Sequence, residues 1–244
     1  MRNFGKITLF GDSIPKGYTT KGDRIEKVDK DAVSLLEEKY GFRIENRSAY
    51  GQTLHKIYER RMVERYIEDT RGEKDRTAVF CIGGNDSDYD WKAVAAAPKA
   101  FHESKTPLSV FEKELDELIK KLKADGVQVL LTTLTPVDSK RYFERVISNV
   151  ADGEKVLEFL SGDITNINRH QECYNLAVIG AAMKNDCKII DIRSDFLMQT
   201  DYLVNYSDDG IHPNAGGHRV IAKSVMKFLS LIHISEPTRP ISIS

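Results

Sequence analysis

Short β-rich runs alternate with helical patterns from one end of the chain to the other. That alternation restricts the fold more than any other feature, because it is the signature of crossover units laid on a parallel sheet. The runs lie at residues 7–10, 42–46, 77–82, 127–133 and 188–192, and they predict an α/β fold with five parallel strands. Between them, Leu115, Leu118, Ile119 and Leu122 recur at helical spacing, with Gly126 where a helix end wants a residue tolerant of positive φ. The same logic ends a helix over 31–40 at Gly41. Further helical patterns cover 53–69, 167–183 and 215–229, the last with Ile221, Val225 and Phe228 on one face.

Two stretches, 88–107 and 138–164, interrupt the alternation. Long connections in an α/β domain serve as lids, pocket walls or oligomer contacts more often than as idle loops, so both are expected to be specificity elements. Tyr89 and Trp91 open the first, and Trp91 is the only tryptophan in the chain. Either their rings line a substrate pocket, or Trp91 anchors the insertion to the core. At 244 residues the length suits one domain, taken here as 1–230. Residues 231–244, which include Pro237 and Pro240, show no period. They resemble read-through of sequencing-adaptor DNA, or else a frayed tail, and carry no functional argument.

Thirty-six basic residues balance thirty-seven acidic ones, and no charged block stands out, which argues against a nucleic-acid partner. The three cysteines are odd in number and scattered, as in a reducing setting. With neither a secretory signal pattern nor an apolar stretch of membrane-spanning length, a cytoplasmic location without membrane insertion is expected. The histidines share no metal-ligand spacing, so no metal is expected. Lys16 precedes Gly17 where a phosphate loop would need Lys-Ser or Lys-Thr after its second glycine, and no dinucleotide-binding glycine pattern follows any strand. No cofactor is expected. Oligomeric state is not legible.

In an open parallel sheet, residues just after the strands converge on one crevice. Four groups sit there: Gly11-Asp12-Ser13, Ser48-Ala49-Tyr50-Gly51, Gly83-Gly84-Asn85-Asp86, and Asp209-Gly210-Ile211-His212 on the loop before the last helix. A serine hydroxyl is a poor nucleophile unless an imidazole takes its proton, and the imidazole works best when a carboxylate fixes its tautomer. Acyl transfer also requires donors aimed where negative oxygen develops. This edge can supply each part.

These four blocks, in this order, resemble those of the SGNH or GDSL hydrolases over about residues 5–229. The resemblance implies a three-layer α/β/α sandwich, flavodoxin-like, and a serine ester hydrolase. It implies Ser13 as nucleophile, His212 as base and Asp209 as its orienting carboxylate, with Ser13, Gly51 and Asn85 forming the oxyanion hole. Residue by residue, alternatives stand beside these roles. Ser13 could cap a helix. Asn85 could merely tolerate a left-handed turn. Asp208 rivals Asp209, and only the family spacing selects between them. Asp12 and Asp86 read as turn or supporting residues, and His218 as a surface or packing residue. Asn46 suits the second block. The partner is expected to be a small-molecule ester, with short acyl groups such as those on O-acetylated carbohydrate suggested by the polar-aromatic 88–91. A lysophospholipase or thioesterase, or a non-catalytic binding protein on the same fold, is the alternative.

Overall fold

The structure is a computed structural model that describes residues 6–22 and 24–234. Strand β1 (Lys6–Gly11) leads into an antiparallel hairpin, β2 (Tyr18–Lys21) and β3 (Arg24–Lys27). Helix α1 (Ala32–Tyr40) follows. Asp31 caps it by accepting the Ser34 N–H at 2.8 Å, and Gly41 ends it in the left-handed region at φ 69°. After β4 (Ile44–Asn46) come α2 (Leu54–Glu59), α3 (Met62–Asp69) and β5 (Arg76–Cys81). Next are α4 (Trp91–Ala96), α5 (Leu108–Ala124) and β6 (Gln128–Thr132). The second insertion holds α6 (Ser139–Tyr142), a π-helical turn (Phe143–Ile147), α7 (Ser148–Val150) and α8 (Gly153–Phe159). The chain closes with α9 (Asn166–Lys184), β7 (Lys188–Ile190), α10 (Ile192–Leu197), a 3-10 turn (Tyr202–Asn205) and α11 (Ala215–Ile234).

Five strands form one parallel sheet in the order β4-β1-β5-β6-β7, the expected flavodoxin-like order. Successive strand residues point to opposite faces, and each face has its own core. Phe10, Ala78, Phe80 and Leu131 pack with α2, α3, α5 and α9. On α5, Phe111, Leu115, Leu118, Ile119 and Leu122 are all fully buried, each contributing about 1.5–3 kcal/mol. Leu130 and Ile190 face the other way, toward α1, α10 and α11. Strand order reverses between β1 and β5, whose last residues pair as Gly11 with Cys81, and the crevice opens beyond that pair.

Four expectations need correction. The 53–69 helix is two helices, broken at Arg61, whose φ is 50°. Ile57 and Val63 are six residues apart and would lie on different faces of a continuous helix, yet both are fully buried, and the break makes that possible. The β2-β3 hairpin escaped notice because its residues are exposed or half-buried and carry no apolar alternation. The second interruption is largely helical and the first holds one short helix, and Trp91, Val94, Tyr142, Ile147 and Val156 build a small core between them. The last helix runs to Ile234, four residues into the stretch set aside as a tail, while 235–244 lie outside the described residues.

Candidate active site

Ser13 lies in the turn that follows β1, where Tyr18 N–H donates to its carbonyl at 2.9 Å. No helix starts there, so the capping alternative fails. Its Oγ lies 2.8 Å from His212 Nε2, and His212 Nδ1 lies 2.6 Å from Asp209 Oδ2. All three residues are buried. The other Asp209 oxygen accepts the backbone N–H groups of Ile211 and His212, each at 2.9 Å. Burial alone would raise the Asp209 carboxyl, but the His212 hydrogen bond and charge, with those two amides, hold it at about 2. Asp209 is therefore a charged acceptor at neutral pH, fixing Nδ1 as the protonated ring nitrogen and leaving Nε2 to accept from Ser13.

The loop carrying His212 is braced on several sides. Tyr206 bridges to Pro213, and Ser207 Oγ lies within 3.0 Å of Asp209 Oδ1. Gly210 sits at φ 73°, where a Cβ would meet the Asp138 carbonyl oxygen at 2.8 Å, so the close approach to α6 admits only glycine. The β2-β3 hairpin fastens the same loop: Thr20 Oγ1 donates to Ser207 Oγ at 2.9 Å and Gly22 N–H to Asp208 Oδ2 at 2.7 Å. Asp208 is thus engaged away from His212, whose Nδ1 meets Asp209 instead.

Ser13, Gly51 and Asn85 line one cavity. Among the described residues, neither the Ser13 N–H nor the Gly51 N–H donates a hydrogen bond within the protein. Asn85 Nδ2 points to Asp12 Oδ2 at 3.5 Å, which leaves its second N–H available. Asp12 Oδ1 accepts the Ile14 N–H at 2.9 Å, the turn-holding role expected of it, and burial raises its carboxyl to about 6. Asp86 supports too: fully buried and raised by desolvation to about 7, it accepts the Leu54 N–H that opens α2. Asn46 ties two blocks together, donating to the Pro15 carbonyl at 2.8 Å and accepting the Ser48 N–H at 3.1 Å. Gln52 adds a second tie, from Nε2 to the Gly11 carbonyl at 2.7 Å.

Tyr89 and Trp91 also line the cavity, Tyr89 half-buried and Trp91 buried. Trp91 is 6 % exposed, and its indole N–H donates to Asp88 Oδ1 at 2.9 Å. Tyr89 packs against Trp91, Phe159 and His170. The anchoring alternative holds for Trp91. His218 is a packing residue, buried, with Nδ1 accepting the Ala32 N–H at 3.2 Å. The aromatic residue that sequence reasoning passed over is Tyr50, 52 % exposed and nearly parallel to the His212 ring. Its place beside Gly51 was visible, but its stacking partner lay far along the chain.

The cavity measures about 720 Å³. From Ser13 it extends past Asp12, Ile14 and His218 between the sheet and the helices α1 and α11, where Leu9, Val79 and Leu36 line it. The middle strand registers this space: Ala78 and Phe80 on one face are buried, whereas Val79 and Cys81 on the other are half-buried although helices cover them. Among the described residues no three potential metal ligands cluster together, and no helix is long and apolar enough to cross a membrane.

A family model described as the GDSL-like lipase/acylhydrolase family matches residues 9–220. A lipase/acylhydrolase from Enterococcus faecalis has a similar structure, with a TM-score of 0.65 and 19 % identity over 96 % of this chain and 98 % of that one. The acetylxylan esterase Axe2 from Geobacillus stearothermophilus gives a TM-score of 0.62 at 19 % identity, covering 97 % of each chain. The acetyl xylan esterase AlAXEase gives 0.63 at 20 % identity, covering 92 % of this chain and all of that one, 100 %. At such identities the likeness establishes the fold. A search of curated proteins finds no match.

Proposed function

The chain belongs to the GDSL-like lipase/acylhydrolase family and is a carboxylic ester hydrolase, and from that premise we propose that it works through a Ser13-His212-Asp209 triad. Ser13 Oγ attacks the ester carbonyl carbon while His212 Nε2 takes its proton, and Asp209 stabilises the imidazolium that forms. The tetrahedral oxyanion is held by the Ser13 N–H, the Gly51 N–H and Asn85 Nδ2. His212 then gives the proton to the leaving alcohol oxygen, the C–O bond breaks, and an acyl-Ser13 ester remains. Water, deprotonated by His212, repeats the attack, releases the carboxylic acid and restores Ser13.

The observation that carries this reading is the unbroken chain of short contacts, Ser13 Oγ to His212 Nε2 at 2.8 Å and His212 Nδ1 to Asp209 Oδ2 at 2.6 Å. The test is a fluorophosphonate probe, which should label the native protein stoichiometrically and fail to label Ser13→Ala. Absence of labelling in the native protein would favour a binding protein on the same fold.

For the substrate, the short-acyl expectation drew on the polar-aromatic 88–91; Trp91 is buried in the insertion core, and Tyr89 is half-buried against Phe159 and His170. The likeness to acetylxylan esterases is a likeness of fold and selects no acyl length. The partner is a small-molecule ester rather than nucleic acid. The three free cysteines favour a reducing, cytoplasmic setting.

A further inference from the structure

We propose that the interior space between the sheet and the helices α1 and α11 is the binding site for the aliphatic acyl chain of the ester, entered beside Ser13. The inference rests on the hydrolase reading and names the acyl half of its substrate. Three observations carry it.

The space is continuous with the Ser13 site and forms the inner part of a cavity of about 720 Å³ that also reaches the insertion side at Tyr142 and Phe159, a total within the range of ligand pockets. It is too large to persist as a packing defect in an interior otherwise closed as tightly as the opposite face of the same strands, where Phe10, Ala78 and Phe80 are buried. Its inner walls are aliphatic. Ile7, Leu9, Val79 and Leu130 come from the sheet, and Leu36 and Val225 from the helices. No described lysine, arginine or glutamate lines this inner part; Thr77 and Thr132 stand among its apolar residues, and Asp12 and His218 stand at the entrance near Ser13.

Its depth suits an extended acyl chain. From Ser13 back to Ile7 the wall follows six residues of extended or turning backbone, so the space is on the order of 15–20 Å deep at about 3.3 Å per strand residue. The alcohol half goes elsewhere, because His212 must protonate it and the open rim beside His212 is formed by the exposed Tyr50.

The test compares kcat/KM on aryl esters from acetyl to decanoyl in the native protein and in Val79→Phe, which fills the space from the sheet. Val225→Phe, which fills it from the helix side, serves if the first variant does not fold. The native protein should prefer decanoyl over acetyl at least tenfold, and either variant should lower the decanoyl-to-acetyl ratio at least tenfold. An acetyl preference in the native protein, or an unchanged ratio in a folded variant, overturns the proposal while leaving the hydrolase reading intact. Calorimetric binding of decanoate to Ser13→Ala keeps the two readings apart. Binding that Val79→Phe abolishes supports the chain site even if no ester is hydrolysed, and no binding overturns it.

Discussion

The ring of Tyr50 lies 6.0 Å from the imidazole of His212, centre to centre, with only 13° between their planes. Tyr18 meets Tyr50 edge-on at 5.6 Å, so the hairpin that fastens the histidine loop also supports the ring that covers its imidazole. An aromatic pair of this kind is worth about 0.5–1.5 kcal/mol. Tyr50→Ala should therefore lower kcat/KM by roughly two- to tenfold, and Tyr50→Phe, which keeps the ring, should stay near the native value. Steady-state kinetics on an aryl ester separates the two.

Asp209 and Asp208 are neighbours in sequence with different duties. Asp209→Asn removes the charged acceptor of His212 Nδ1 and should lower kcat by about 10⁴-fold, as expected when the imidazole tautomer is lost. Asp208→Asn removes the charge from an exposed acceptor of the Gly22 N–H and should change kcat by no more than about twofold. Equal losses in the two variants would show that the spacing had selected the wrong carboxylate.

Asn85→Ala removes one proposed oxyanion donor and should lower kcat by about 10²–10³-fold with little change in KM. Gly51→Ala keeps its N–H, and the added Cβ meets nothing within 4 Å, so its cost is that of a left-handed backbone at φ 64°. That cost is about 1–2 kcal/mol of stability, read by denaturant titration, with a smaller fall in kcat than for Asn85→Ala.

Gly210→Ala combines a left-handed φ with a Cβ 2.8 Å from a backbone oxygen. Backbone cannot yield as a flexible side chain does. The variant should lose about 3 kcal/mol or more and, where folded, lose kcat with the displaced His212 loop. Thermal unfolding of Gly210→Ala beside Gly51→Ala should give the larger drop for Gly210→Ala.

Burial raises the Asp86 carboxyl to about 7 from an ordinary value near 3.8, so between those values the folded protein binds more protons there than the unfolded chain. Stability from this group is full below the lower value and falls as pH rises toward the upper one. Asp86→Asn has no such proton to lose. The difference in Tm between native and Asp86→Asn should move in favour of the variant from pH 4 to pH 7, and a constant difference would contradict the buried, uncharged carboxyl.

The sheet was legible because its central strands are largely apolar runs, such as 77–82, whose residues end up between two layers of helices. The break at Arg61 was not, since a left-handed arginine leaves no local trace and is chosen by the need to bury both Ile57 and Val63. Nor was the β2-β3 hairpin, whose polar residues reveal their purpose only where Thr20 and Gly22 meet the loop of His212.

The sequence by itself determined which chemical groups stand at the ends of strands, because strand order and polarity follow from hydrophobic period and the right-handed crossover rule. It thereby placed Ser13, Gly51, Asn85, Asp209 and His212 along one edge. Tertiary structure alone decided what surrounds them: Trp91 turned into the insertion core, Tyr50 laid over His212, and the space left beneath the sheet. Those outcomes depend on contacts between residues distant in the chain, and side-chain packing at that range is settled only when all the layers close together.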